Sequence, residues 1–421
     1  MFGAKSLSGG PIRLVLTVAL LGSSSVCIAQ VYVDAPEAAP TDIVDPGFSY
    51  FVAQQVTADD NLFRLPSGYT NIQTAAGTAD KRSDRIEQTS AGANELWVGG
   101  RQSVAAELGV SRNDYAYYKF LDNTAWNSHL LWDWTGGGQW TGQVGVDHNR
   151  GLLDFAYTRD FAKDIVDSGG YLANARFQVG PGWALTTAFH KEDINHSLSQ
   201  SRIYDSRNES GSFGAEYATS ASNTLELQYK YAKAEFPDEF ASAASVQQNF
   251  HESTTQLLLY FEPSDKTKFV ANAGYLQRHY AESRLAAYSG DVWHASLNWQ
   301  ALQKIQLVIA AGRDLEAYVD AATEYFVARE TTFKANWTPR EKLTFSVLLA
   351  WEHQDYVVGS DTLQSSLGRL DTLKNQSVTA GYAPRSWCSL NLSAGLRQRN
   401  SNYSFYAFDD RYVTGGIKLT F

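Results

Sequence analysis

The densest group of titratable side chains in this chain is His190-Lys191-Glu192-Asp193, followed by His196. Imidazoles and carboxylates at short spacing are the donor set of a metal site or of general acid–base chemistry. His251-Glu252 and Glu352-His353 bring the same groups together. None of the three completes a site. The two pairs lack a second ligand at metal spacing, and the longer run leads toward a polar connection, where solvated charge is the ordinary outcome. Gly136-Gly137-Gly138 has the composition of a phosphate-cradling loop, but it joins two strands and opens no helix. No Ser/His/acid triad or paired-carboxylate arrangement stands out. The sequence is therefore read as non-enzymatic, with no catalytic residues, no metal site and no cofactor.

A different set of charges gains meaning from its spacing. Leu343, Phe345, Val347, Leu349 and Trp351 alternate with Lys342, Thr344, Ser346 and Glu352, and Leu390, Leu392, Ala394 and Leu396 with Asn391, Ser393, Gly395 and Arg397. Leu225, Leu227, Tyr229 and Tyr231 alternate with Glu226, Gln228 and Lys230. This is the period of a strand with different solvents on its two faces. The large apolar residues form one face and the smaller polar ones the other. In a wide barrel that means lipid outside and water inside. By parity, Glu107, Asp133, Arg176, Glu226, Lys230, Lys334, Glu352, Arg397 and Lys418 are expected to face the lumen. Both signs occur, which suits neutral or weakly charged polar solutes such as saccharides. The rival reading is that these charges only solvate the wall and pair across strands.

The elements that position these residues repeat along the chain. Gly99-Gly100, Gly180 to Gly182, Ser220 to Ser222, Pro263 to Lys266, Ala301 to Gln303, Pro339 to Lys342 and Pro384 to Trp387 read as tight turns. Leu65 to Lys81, Asn195 to Arg207, Pro237 to Gln247, Ala281 to Gly290, Val357 to Leu370 and Asn400 to Asp409 read as longer, polar loops. Short turns alternating with long loops is the plan of an outer-membrane β-barrel. Taking Gln139 to Asp160 as one strand gives an all-β, single antiparallel transmembrane barrel of about 18 strands, with about 16 as the alternative. Trp132, Trp134, Trp183, Trp337, Trp351, Tyr356 and Tyr403 to Phe408 lie near strand ends, which suits interfacial girdles at outward positions, with sugar stacking as the rival reading and the aromatics in loops left open.

Composition agrees. Aromatic residues make up 13% of the chain and the net charge is −10. That charge argues against a nucleic-acid partner. Mean hydropathy is −0.31, and beyond the N-terminus no apolar run is long enough for a membrane helix. Residues 1–29 read as a signal peptide, with Lys5 and Arg13 ahead of a short apolar core from Leu14 to Gly22. Cys27 invites a lipoprotein reading, but Ser25-Val26 matches a lipobox poorly. Residues 30–47 read as a periplasmic linker and 48–421 as the barrel.

The chain ends Arg-Tyr-Val-Thr-Gly-Gly-Ile-Lys-Leu-Thr-Phe. Thr414, Gly416, Leu419 and Phe421 resemble the C-terminal signal of outer-membrane barrels, which implies the barrel-assembly machinery and outer-membrane lipid as partners. Three stretches carry a further resemblance: Val56-Thr57-Ala58-Asp59-Asp60-Asn61-Leu62-Phe63-Arg64-Leu65, Gly145-x-Asp147 with Leu153-Asp154-Phe155, and Tyr412 to Ile417. They are similar to the EpsL-type exopolysaccharide-biosynthesis outer-membrane proteins, associated with exosortase systems and grouped with β-barrel porins. The resemblance implies export of an extracellular polysaccharide through a hydrated pore, with the polysaccharide and other export proteins as partners. A general or substrate-selective uptake porin, or a structural or adhesive barrel, is the alternative.

Overall fold

A computed structural model describes residues 46–69, 72–74, 77–158, 161–219, 223–237, 249–281, 287–320, 323–357 and 368–421. The stretches read as signal peptide and, nearly entirely, as linker, the expected turn at Ser220 to Ser222 and most of the expected loop from Pro237 to Gln247 lie outside the described residues.

The chain forms β1 (Gly47–Asp59), a small hairpin of β2 (Ile72–Thr74) and β3 (Gly77–Ala79), and then β4 (Asp84–Gly99), β5 (Gln102–Tyr115), β6 (Asn123–Gly136) and β7 (Trp140–Leu152). It continues through β8 (Ile165–Gly180), β9 (Trp183–His196), β10 (Ser206–Ala218), β11 (Thr224–Glu235), β12 (Phe250–Ser264) and β13 (Thr267–Tyr280). The last strands are β14 (Tyr288–Leu302), β15 (Ile305–Asp320), β16 (Thr323–Arg340), β17 (Leu343–Val357), β18 (Leu370–Arg385), β19 (Cys388–Ser401) and β20 (Phe408–Thr420). β1 and β4 to β20 make one 18-stranded sheet in sequence order, and pairing of β1 with β20 closes it. Every neighbouring pair whose register is described runs antiparallel, for example Thr57 opposite Thr414.

The closing seam uses the end of the chain. The Phe421 N–H donates to the Tyr50 carbonyl at 2.8 Å and the Tyr50 N–H donates back at 3.0 Å. The two rings stack with centroids 5.2 Å apart. Thr414 faces inward and its hydroxyl meets that of Thr57 at 2.9 Å. Gly416 also faces inward, where a Cβ would meet Oδ1 of Asn391 at 2.5 Å.

Alternation sets the two faces. Val413 and Ile417 of β20, Leu390, Leu392 and Leu396 of β19, and Leu225, Leu227, Tyr229 and Tyr231 of β11 are exposed on the outside. Tight turns gather at the rim that carries Gly47 and Thr420; the β6–β7 turn reaches its geometry through Gly137 and Gly138, both at positive φ (58° and 80°). By the short-turn rule this rim is periplasmic. Its exposed aromatics include Phe48, Tyr50, Trp97, Trp140, Trp183, Trp337, Trp387 and Phe421.

Strands run from 12 to 18 residues, longer than the roughly 9–11 a bilayer needs. The excess stands at the other rim. Here the structure departs from three sequence expectations. Gln139 to Asp160 is one strand only as far as Leu152. Tyr356 and Phe408 are buried, not girdle residues, because they lie on the lumenal parity. His190 to His196 stays within β9 rather than entering a solvated loop, and alternation sends Lys191 and Asp193 outward while Glu192 and His196 face inward.

Candidate functional site: the lumen and its narrowed mouth

The nine charges picked out by parity lie on β5, β6, β8, β11, β16, β17, β19 and β20. Asp133 accepts from Ser103 Oγ at 3.1 Å and Gln143 Nε2 at 2.6 Å. Arg176 pairs with Glu216 at 2.8 Å. Glu226 accepts from the Thr186 hydroxyl at 2.5 Å, and Glu352 from Gln354 Nε2 at 2.6 Å. Glu107 accepts from Asn127 at 3.3 Å. Lys418 lies 4.2 Å from the centre of the Phe51 ring. Lys230 lines a small niche with Gln256, Asn272, His294 and Asp314. Lys334 stands in register between Val308 and Leu348. Arg397 reaches Asp154 at 4.0 Å and lies over the Tyr412 ring.

Between these charges the wall is made of amides and hydroxyls bonded across strands. Gln88 donates to Asn113 at 2.9 Å and Asn113 to Asn123 at 3.1 Å. Gln256 donates to Gln228 at 2.7 Å. Asn336 donates to Gln306 and Gln306 to Asn298, at 3.2 and 3.1 Å. Such groups keep spare donors and acceptors for water or for a polar solute.

The mouth opposite the tight turns is different, and sequence reasoning missed it. After Asp59 the chain turns inward. Leu62, Phe63 and Leu65 bury against Ile72, Tyr115, Tyr118, Leu121, Phe155 and Phe161. Phe63 is fully buried, with ring centroids 4.7 Å from both Tyr118 and Phe155 and 5.3 Å from Phe161. Burying a side chain of this size is worth roughly 1.5–3 kcal/mol, enough to hold a loop that water would otherwise solvate. The Tyr118 hydroxyl donates to the Lys81 carbonyl. Burial, and then the nearby Tyr117, Asp84 and Asp80, push its pKa up to about 12.

The segment from Leu153 to Tyr157 reaches furthest across. Leu153 belongs to a cluster with Val166, Ile194, Phe236 and Phe250, against which Tyr157 and, from β13, Tyr280 also pack. On the other side the Ala156 carbonyl accepts from Arg399 of β19 at 2.7 Å. Along the closed strand order, β13 and β19 each lie six strands from β7. The segment thus spans the mouth rather than hugging one wall.

Its charged hinge is Arg64. The guanidinium lies 2.9 Å from Asp59, 3.3 Å from Asp410 and 3.7 Å from Asp154. Burial alone would lower the pKa of Arg64, but the fields of Asp59, Asp154 and Asp410 outweigh it and hold it above the ordinary arginine value. Asp59, Asp60 and Asp410 bring carboxylate oxygens within 4.8 Å of one another; Arg64 supplies the buried counter-charge to this group. A cavity of about 100 Å³ lies under the hinge, lined by Gln55, Thr57, Asp59, Arg64, Asp154 and Tyr412 among others.

A third element narrows the mouth. The β14–β15 ladder ends at Trp293 opposite Arg313, although β14 begins five residues earlier at Tyr288. Beyond that point the β15–β16 hairpin leans inward. Leu315, Tyr325 and Val327, on the outward parity of their strands, bury against Leu276, Val292, Tyr280 and Tyr288 of the lumenal wall. Two buried arginines brace the same rim. Arg278 forks onto Glu252 at 2.9 and 3.0 Å. Arg369 pairs with Asp371 at 2.5 Å and lies over the rings of Tyr356 and Tyr406.

The available signal for this missed site was local. Leu62-Phe63 and Leu65 flank Arg64 at the entry to the loop read from Leu65 to Lys81, and apolar residues at that density beside a connection point to burial.

Compared with known proteins, residues 259–421 match the model of the family described as "Putative beta-barrel porin 2". No curated protein matches the chain in sequence. Among solved structures the chain is similar to the outer membrane protein OpdK from Pseudomonas aeruginosa, at 11% identity and a TM-score of 0.43, covering 89% of this chain and 99% of that one. It is similar to OccAB3 from Acinetobacter baumannii, at 9% and 0.44, covering 90% and 100%. A BenF-like porin from Pseudomonas fluorescens gives 10% and 0.45, covering 89% and 98%. The closed barrel, its apolar outer band and the family match over the C-terminal strands make the chain a porin-like β-barrel of the outer membrane.

Proposed function

We propose that the chain is a passive pore for small hydrophilic solutes, with its passage set by the segments folded into the mouth. The observation that carries this reading is the lumen wall. Its cross-strand amides and hydroxyls and its charges of both signs give a polar solute replacement for its lost water and impose no single sign. The segment from Leu153 to Tyr157 then limits size, because it reaches across the mouth to Arg399 of β19. The role is passage, not catalysis.

This reading takes the porin alternative ahead of polysaccharide export. Export rests on the resemblance of short motifs, and a polymer would have to displace the mouth segments to pass. The test is purified protein in planar bilayers and in liposome-swelling assays with neutral sugars of increasing size. Discrete conductance and entry of mono- and disaccharides, with a sharp fall for longer chains, is expected. A barrel with no conductance at any voltage overturns the pore. Loss of secreted polysaccharide on gene deletion, without loss of small-sugar uptake, restores the export reading.

A further inference from the structure

Just beyond the apolar band the outside of the barrel carries a ring of charge, and two arcs of that ring are built differently. On β9 to β11 the charges alternate. Glu209 lies in register with Lys191 on one side and Lys233 on the other, at 3.3 and 3.2 Å. Arg207 meets Asp193 at 3.5 Å. Three cations face three acids, counting Glu235 beside Lys233.

On β15 to β18 the cations cluster. Arg313 lies directly opposite Arg329, and Arg329 directly opposite His353. Lys374 stands one step away, opposite the exposed Trp351. Asp355 serves both Arg329 and His353, at 3.2 and 3.1 Å, and Arg313 borrows Asp291 from β14 at 3.1 Å. Like charges directly opposite on a ladder are destabilising, and with two carboxylates set against Arg313, Arg329, Lys374 and His353 this arc is short of negative charge. Its level is informative. Trp293 and Trp351, both exposed on the outside, lie at the top of the apolar band, beside Arg313 and Lys374 in register. Tryptophan at that height marks the boundary between acyl chains and headgroups.

We propose that the outward patch of Arg313, Arg329, His353 and Lys374 is a docking site for the phosphorylated headgroup of an outer-leaflet lipid. The guanidinium of Arg329 forks onto phosphate oxygens, Lys374 supplies a mobile point charge, and the two tryptophans pack on the acyl–headgroup junction. The lipid that covers the apolar band and the phosphate that meets the patch are the same molecule. The site is independent of what passes through the lumen.

The test uses the full barrel in mild detergent, titrated with a phosphorylated lipid-A-type glycolipid and with its dephosphorylated form, read by tryptophan fluorescence and native mass spectrometry. Heat-modifiable gel migration confirms that each variant is folded. Saturable binding of the phosphorylated form is expected. R329Q and K374Q should each weaken it about fivefold, while R207Q, in the balanced arc, leaves it unchanged. The dephosphorylated lipid should bind wild type as weakly as the double variant binds the phosphorylated one. Equal weakening by R207Q reduces the patch to general rim charge and overturns the proposal. So does equal binding of the two lipids, or no saturable binding at all.

Discussion

The barrel wall and the segments folded into its mouth bury their side chains by opposite rules. In the wall each residue's surroundings follow from its parity. Leu392 faces lipid and Ser393 faces water, where its hydroxyl accepts from Thr379 at 3.0 Å. The wall needs no apolar core of its own, because lipid takes that part. The mouth is a small globular core built inside a cylinder. Phe63 is buried by Tyr118 and Phe155, residues 55 and 92 positions further along the chain, and Arg64 sits among carboxylates from β1, β20 and the β7–β8 connection. Wall order is local and repeated; mouth order is non-local and singular. The two regions should therefore fail separately.

The largest expected effect lies in closing the wall. Removing Phe421 deletes two backbone hydrogen bonds to Tyr50 and a ring stack at the seam, together with the aromatic end of the proposed assembly signal. Heat-modifiable barrel in the outer-membrane fraction should fall to near background. Normal assembly of the truncated chain would show that the last strand closes the wall without its terminal residue, and the signal assignment would go.

Next comes the mouth. Phe63→Ala removes a fully buried ring, which costs about 3–5 kcal/mol where the site cannot collapse. Arg64→Met removes the counter-charge of the buried Asp59 and Asp410, and breaking a buried pair costs about 3–5 kcal/mol. Both losses should fall on the mouth alone. The variants should still assemble as heat-modifiable barrels, with raised single-channel conductance and faster protease cleavage between Asp60 and Arg82. A variant that fails to assemble would mean that mouth and wall fold as one unit.

How much of each region was legible in the sequence follows from the same contrast. Alternation at Val413, Ile417 and Leu419, and at Leu390, Leu392 and Leu396, reports the local solvent directly, so the barrel and its strand number could be read. Tyr356 and Phe408 were misplaced into a girdle. Their position near a strand end was weighed above their parity, which they share with Glu352 and Lys418, and their packing with Phe326, Arg369 and Arg399 was not visible in sequence. The burial of Leu62 to Leu65 was not legible, because their partners at Tyr118, Phe155 and Phe161 are dispersed across other connections. The outward burial of Leu315 breaks the period-2 rule outright, since the hairpin leaves the wall and turns its outer face onto β13 and β14.

A smaller effect tests the wall's own rule. Leu392→Arg places a charge on the lipid face near mid-strand and should cost about 2–4 kcal/mol. Ser393→Arg, one residue on and facing water, should leave urea stability close to wild type and shift ion selectivity toward anions instead. Equal costs at the two positions would mean that the face assignment of β19 is off by one.

The smallest effect sets one arginine against another. Arg85, only 21 positions after Arg64, pairs with Glu87 at 2.8 Å on the outer rim, with 60% of its side chain exposed. Its ion pair is as short as the Arg64–Asp59 contact at 2.9 Å, so distance alone predicts equal worth. Solvent decides otherwise. Water screens the exposed pair and solvates either partner left alone, so Arg85→Met should cost less than about 1 kcal/mol. In the mouth Asp59 and Asp410 are almost wholly buried, 5% and 0% exposed, and water replaces their lost cation poorly. Urea midpoints for Arg85→Met and Arg64→Met, measured at low and at 0.5 M salt (a Debye length of roughly 4–5 Å), separate the two. The Arg85 difference should vanish at high salt and the Arg64 difference should persist. If both vanish, Arg64 is reached by water and the mouth is a solvated loop after all.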